Sequence, residues 1–120
     1  MLRIDIHASS SMATLFCSGR LIYGVETEML RTMAQSRSEE NLRIDLSRVE
    51  NIDASGLGLL VELQNWADEN RRTLTLVDLS ENVWRMIILT KLYASLEISY
   101  SDVPALNSER DDYGQREMIA

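Results

Sequence analysis

The run Asn41–Leu63, NLRIDLSRVENIDASGLGLLVEL, decides how this chain is read. Its first part alternates, with Leu42, Ile44 and Leu46 on one face. A period of two is the mark of a strand with one apolar side. After Ile52 the period changes. Leu59, Leu63, Trp66 and Ala67 form one helical stripe, with Leu57, Leu60 and Val61 beside it. So wide an apolar surface predicts a helix pressed against a sheet, with little of its first half in water.

The same two periods recur on either side. Leu2, Ile4 and Ile6 alternate with Arg3, Asp5 and His7, and the serines 9–11 predict a turn into a second strand, ATLFCSG. Val25, Met29 and Met33, with Leu30 and Ala34 alongside, are spaced for a helix that ends in the polar run Gln35–Glu40. Downstream, DENRR closes the central helix and TLTLVDL follows as a strand. Ser80 is placed to cap a helix whose stripe is Val83, Trp84, Ile87, Ile88 and Leu92, and LEISY makes a short last strand. Strands alternating with helices specify an α/β fold: a mixed, mostly parallel sheet of four to five strands, joined by right-handed crossovers and packed with three to four helices. Residues 1–100 form this single domain, and 101–120 read as a polar C-terminal tail.

Ser55 falls after the carboxyl end of a strand and at the start of a helix, where open α/β sheets place functional loops. The plainest role is a helix cap, contributing about 1 kcal/mol, with Asp53 filling it if the helix starts earlier. A nucleophile elbow, G-x-S-x-G, fails at both glycines, because Asp53 and Leu57 stand there. GLGLLV lacks the small residue that closes a dinucleotide fingerprint. A hydrolase acting through Ser55 has the weakest support. A phosphate on Ser55 suits the position, since a helix amino end tolerates an anion. It would turn a neutral surface anionic, with Leu57, Tyr23 and Trp84 as the apolar patch a partner would hold.

Composition narrows the classes further. Hydrophobic residues make up 45% and charged residues 26%, as in globular proteins. Nineteen acidic against twelve basic residues leave a formal charge of -7, which disfavours phosphate backbones, so no direct nucleic-acid contact is expected. The single cysteine, Cys17, forms no internal disulfide and is expected in the core, and the single histidine, His7, supplies no His-rich metal site. The pairs Glu39–Glu40 and Asp111–Asp112 are expected in solvated segments. No signal sequence or membrane-length apolar run occurs, so a cytoplasmic protein without membrane insertion is expected.

RIDLSRVENIDASGLGLLVEL, followed by TLTLVDLSENVWRMIILTKL, resembles the STAS domain of bacterial anti-sigma-factor antagonists. The resemblance covers residues 2 to 100. It implies a binding module, not an enzyme and without a cofactor, that engages an anti-sigma serine kinase in the cytoplasm. Phosphorylation of Ser55 by that kinase would disengage it, and a serine phosphatase would restore it. By the same resemblance Leu21, Ile22, Tyr23, Asp53, Ala54, Gly56, Leu57, Gly58, Ser80 and Asn82 face the partner. Two features depart from the family pattern. Ala54 replaces a first hydroxyl residue, and the loop GRLIYG, residues 19–24, has Arg20 and Ile22 where acids are usual. The altered loop supports the alternative of a constitutive STAS adaptor in a lipid transporter or stress-signalling assembly. A monomer or a weak homodimer through the sheet edge or the LVEL helix face is expected.

Overall fold

The computed structural model describes residues 1–99. Its elements follow in the order β1 (Leu2–Ala8), β2 (Met12–Leu21), α1 (Val25–Gln35), β3 (Asn41–Ile52), α2 (Ala54–Glu69), β4 (Thr73–Val77), α3 (Glu81–Thr90), a short 3-10 turn (Leu92–Ser95) and β5 (Ile98–Ser99). The five strands form one sheet in chain order, β1-β2-β3-β4-β5. Only β1 runs antiparallel to its neighbour; β2, β3, β4 and β5 are mutually parallel. The α/β architecture expected from the alternation is thus found, with three α-helices and five strands. The expected tail, 101–120, lies outside the described residues.

The apolar phase of each strand meets across the sheet. Ile6 pairs with Leu15, Leu15 with Ile44 and Ile44 with Leu76, and the last three are fully buried. Leu59, Leu60 and Leu63 of α2 and Leu30 of α1 are buried in the same cluster. Cys17 belongs to it too, and burial pushes its thiol up to about 12, helped by nearby Asp45, so the thiolate needed for reactivity is scarce. Two carboxylates are buried, and for Glu39 this corrects the expected solvated segment. Glu39 is buried, because Arg37 two residues earlier reaches back to it (Nη2 to Oε2, 2.7 Å) and lets the carboxylate leave water paired. Asp45 is buried on the polar phase of β3, where its Oδ1 accepts from the backbone N–H (2.9 Å) and hydroxyl (2.7 Å) of Ser47.

One mismatch of length positions the site. β3 pairs with β2 along its whole run, from Asn41 to Ile52, but with β4 only from Asn41 to Asp45. The remaining half of β3 is bordered by the start of α3 instead. Ser80 donates its N–H to Leu46 O (3.1 Å) and its hydroxyl to Val49 O (2.7 Å), and Asn82 Nδ2 donates to Glu50 O (2.7 Å). Carbonyls that β4 leaves without a strand partner are satisfied by a helix entrance.

Candidate functional site

α2 begins at Ala54 and its cap is Asp53, not Ser55. Asp53 has extended backbone (φ −112°, ψ −174°), the conformation a cap needs, while Ser55 is already the second helical residue. The Asp53 carboxylate holds two segments together. Oδ1 accepts from Gly56 N–H (2.9 Å), inside the first turn of α2, and Oδ2 accepts from Tyr23 N–H (2.9 Å), in the loop between β2 and α1. Burial alone would raise the Asp53 carboxyl. The backbone N–H groups of Tyr23, Gly56, Asp53 and Ser55 together outweigh it and hold the acid below the usual carboxylate range.

Gly56 is there because backbone passes close by. A Cβ at this position would lie 2.3 Å from Leu21 O and 2.7 Å from Ile52 Cγ1. Helix α2 therefore enters tight against the end of β2. Gly24, just before α1, serves differently: its φ of +112° is a conformation that side chains strain. With Gly24 turning the chain, Tyr23 and Val25 point outward, each 78% exposed.

Of the residues expected to face a partner, Tyr23, Ala54, Ser55, Gly58 and Asn82 are exposed, while Ile22, Asp53 and Ser80 are partly so. Leu21, Gly56 and Leu57 are buried. The expected patch built on Leu57 is therefore corrected. The fourth residue of α2 faces the sheet once the helix starts at Ala54, and Leu57 is 2% exposed. The exposed apolar groups are Tyr23 and Val25 instead, and Val25 was missed because its helical spacing assigned it to the core stripe. Trp84 is only partly buried, on α3.

The Ser55 hydroxyl makes no hydrogen bond among the described residues, whereas the other capping serine is occupied. Ser80 Oγ accepts from Val83 N–H (3.3 Å) while donating to Val49 O. Nor is Ser55 near a base. His7, the only histidine in the chain, pairs with Thr14 near the start of β2, its ring edge-on to Phe16 at 5.0 Å. Ser55 follows the end of β3, beside the end of β2. The run from Thr14 to Leu21 along β2 separates them by roughly 20 Å. A Ser–His pair is not formed. About two turns further along α2, Arg31 bridges α1 to α2 by bonding Glu28 and Glu62 (Nε to Glu62 Oε2, 2.7 Å), which lowers the Glu62 carboxyl.

The family model described as "Mlab, STAS domain" matches residues 9–97. The chain belongs to the STAS family. Among solved structures, this STAS domain is similar to the unphosphorylated anti-sigma factor antagonist SpoIIAA, at 14% identity over 82% of this chain and 90% of that one, with a TM-score of 0.66. A putative anti-sigma factor antagonist from Thermotoga maritima aligns at 20% identity over 83% and 87% of the two chains, with a TM-score of 0.69. The phosphorylated form of the Bacillus cell fate determinant SpoIIAA aligns at 12% identity over 82% and 93%, with a TM-score of 0.64. At these identities the likeness is one of fold. Among the described residues, no helix is long and apolar enough to cross a membrane.

Proposed function

We propose that this STAS domain is an anti-sigma-factor antagonist, a non-enzymatic cytoplasmic module that binds an anti-sigma serine kinase and is released when that kinase phosphorylates Ser55. A serine phosphatase resets it. One observation carries the reading: Ser55 sits exposed in the first turn of α2 with its hydroxyl unused, because Asp53 performs the capping. The hydroxyl is open to a kinase, and the helix start supports the added anion. A phosphate would place nearly two negative charges beside the Asp53 carboxylate and between Tyr23 and Gly58. A surface that had carried one carboxylate beside exposed apolar groups becomes strongly anionic and then repels the partner that held it. Ile22, Tyr23, Ala54, Gly58 and Val25 form the contact face, with Ser80 and Asn82 at its margin.

The test is direct binding to the cognate kinase. Ser55→Asp is expected to keep the fold and weaken binding by about tenfold, which corresponds to 1.4 kcal/mol, whereas Ser55→Ala binds like wild type. Equal affinity of Ser55→Asp and wild type would count against the switch.

Equal affinity is what the second reading predicts, a constitutive adaptor in a lipid transporter or stress-signalling assembly. One observation favours it: the loop beside Ser55 presents Arg20 and Ile22 in place of acids. Absence of phosphoserine at position 55 in cells, together with an unaltered Ser55→Asp complex, would establish the adaptor.

A further inference from the structure

The two edges of the sheet are built differently. Among the described residues β5 contributes Ile98 and Ser99 at one side, whereas β1 closes the other with seven residues and an unbroken register against β2. β1 contains no proline or bulge, two of the devices that blunt an edge, and its two charged side chains, Arg3 and Asp5, are of opposite sign. Its hydrogen-bonding parity is fixed at both ends of the hairpin. Arg20 N–H donates to Met1 O (2.9 Å) and Ser9 N–H to Met12 O (2.8 Å). Bonded and non-bonded pairs alternate in an antiparallel ladder, so the odd-numbered residues of β1 bond to β2. The N–H and C=O groups of Leu2, Ile4, Ile6 and Ala8 therefore point outward. Among the described residues nothing hydrogen-bonds to them.

The side chains of this edge are complementary to a second copy of themselves. We propose that β1 pairs antiparallel with β1 of another copy about a two-fold axis at Ile4, joining two sheets into one of ten strands. In this register Ile4 faces Ile4 of the second copy as a hydrogen-bonded pair, and Leu2 faces Ile6 in the same way, which uses the outward groups. Arg3 then falls opposite Asp5, twice by symmetry, in the non-bonded positions where side chains lie closest. Moving the axis to Asp5, a two-residue change of register, keeps the outward groups paired but sets Asp5 against Asp5 and places Arg3 opposite His7, so both favourable charge pairs are lost. The apolar rim agrees with this choice of axis. Ile4 and Ile6, with Met29 and Met33 of α1, lie only partly buried against the core cluster, and a second copy would cover the strand side of that rim. Arg3 and Asp5 are exposed and already in contact within the chain (3.2 Å), so the charges are placed without new side-chain ordering.

Sedimentation equilibrium of the full chain, from micromolar to about 1 mM, reads this interface. Wild type is expected to rise from the mass of one chain toward that of two as concentration increases. Asp5→Arg converts both cross-strand pairs to repulsion and is expected to weaken dimerisation about tenfold. The exchange Arg3→Asp with Asp5→Arg restores opposite charges and returns the wild-type constant. Both positions are exposed, so the fold is retained, as circular dichroism will check. A wild type that keeps the mass of one chain throughout overturns the proposal. So does a dimer that Asp5→Arg leaves unchanged, or one that the charge exchange fails to restore.

Discussion

Helices α2 and α3 both start against the carboxyl half of β3, and both have a serine near the start, yet the two serines have opposite fates. At α3 the serine is the cap. Ser80 accepts from Val83 N–H and donates to Val49 O, so its hydroxyl is occupied on both sides. At α2 an aspartate caps, and Ser55 two residues on is left with nothing to hold. Helix starts attract serine for one physical reason, the orphan N–H groups of the first turn. Whether that serine is structural or available depends on which neighbour satisfies those groups first. The carboxylate of Asp53, already held by Tyr23 and Gly56, makes Ser55 available.

The contrast can be broken most severely at Gly56. Gly56→Ala drives a methyl into Leu21 O and is expected to cost about 3 kcal/mol in urea unfolding, because α2 must retreat from β2. A loss below about 0.5 kcal/mol would mean the close approach is not needed. Next comes Asp53→Ala, expected to cost about 2 kcal/mol, since cap and loop tether go together. Its pH dependence identifies the charged form. The folded acid lies below its ordinary value of 3.8, so its stabilisation is complete above that pH and is lost as pH falls through the folded value. The gap between wild type and Asp53→Ala should therefore be constant near neutrality and narrow below 3.8. A gap that stays the same in acid would assign the effect to packing. The smallest effects sharpen the comparison itself. Ser80→Ala should cost about 1 kcal/mol, and Ser55→Ala should change stability by less than about 0.5 kcal/mol. Equal losses at the two serines would erase the distinction.

Much of this was visible in the sequence, for reasons that also explain what was not. Periods of two and 3.6 are local properties, so the order of strands and helices, the Ser80 cap and the core placement of Cys17 could be read directly. The role of the first turn of α2 could not, because Asp53 and Ser55 are both good caps and spacing does not say which one meets the orphan N–H groups. Starting at Ala54 instead of after Ser55 moved the cap to Asp53 and, with the tight entry at Gly56, sent Leu57 inward. Glu39 was misjudged for a related reason, and the burial of Asp45 was not read at all. Each is buried through a partner two residues away, Arg37 or Ser47, and a charge pattern does not reveal which pairs leave water together. The bonds from Ser80 and Asn82 to Val49 and Glu50 were equally hidden. They exist because β3 outruns β4, a difference of strand length settled only by pairing.

The agreement between strand order and chain order has a consequence in time. Each strand lies beside the one synthesised immediately before it, so no strand has to wait for a later segment before it finds its neighbour. The β1–β2 hairpin offers a template, and each following helix–strand unit adds to the most recent edge. A chain that emerges amino end first could therefore lay down its sheet in the sequence of its own translation. The groups that Asp53 and Gly56 meet, Tyr23 N–H and Leu21 O, both precede them in the chain and so are always synthesised first.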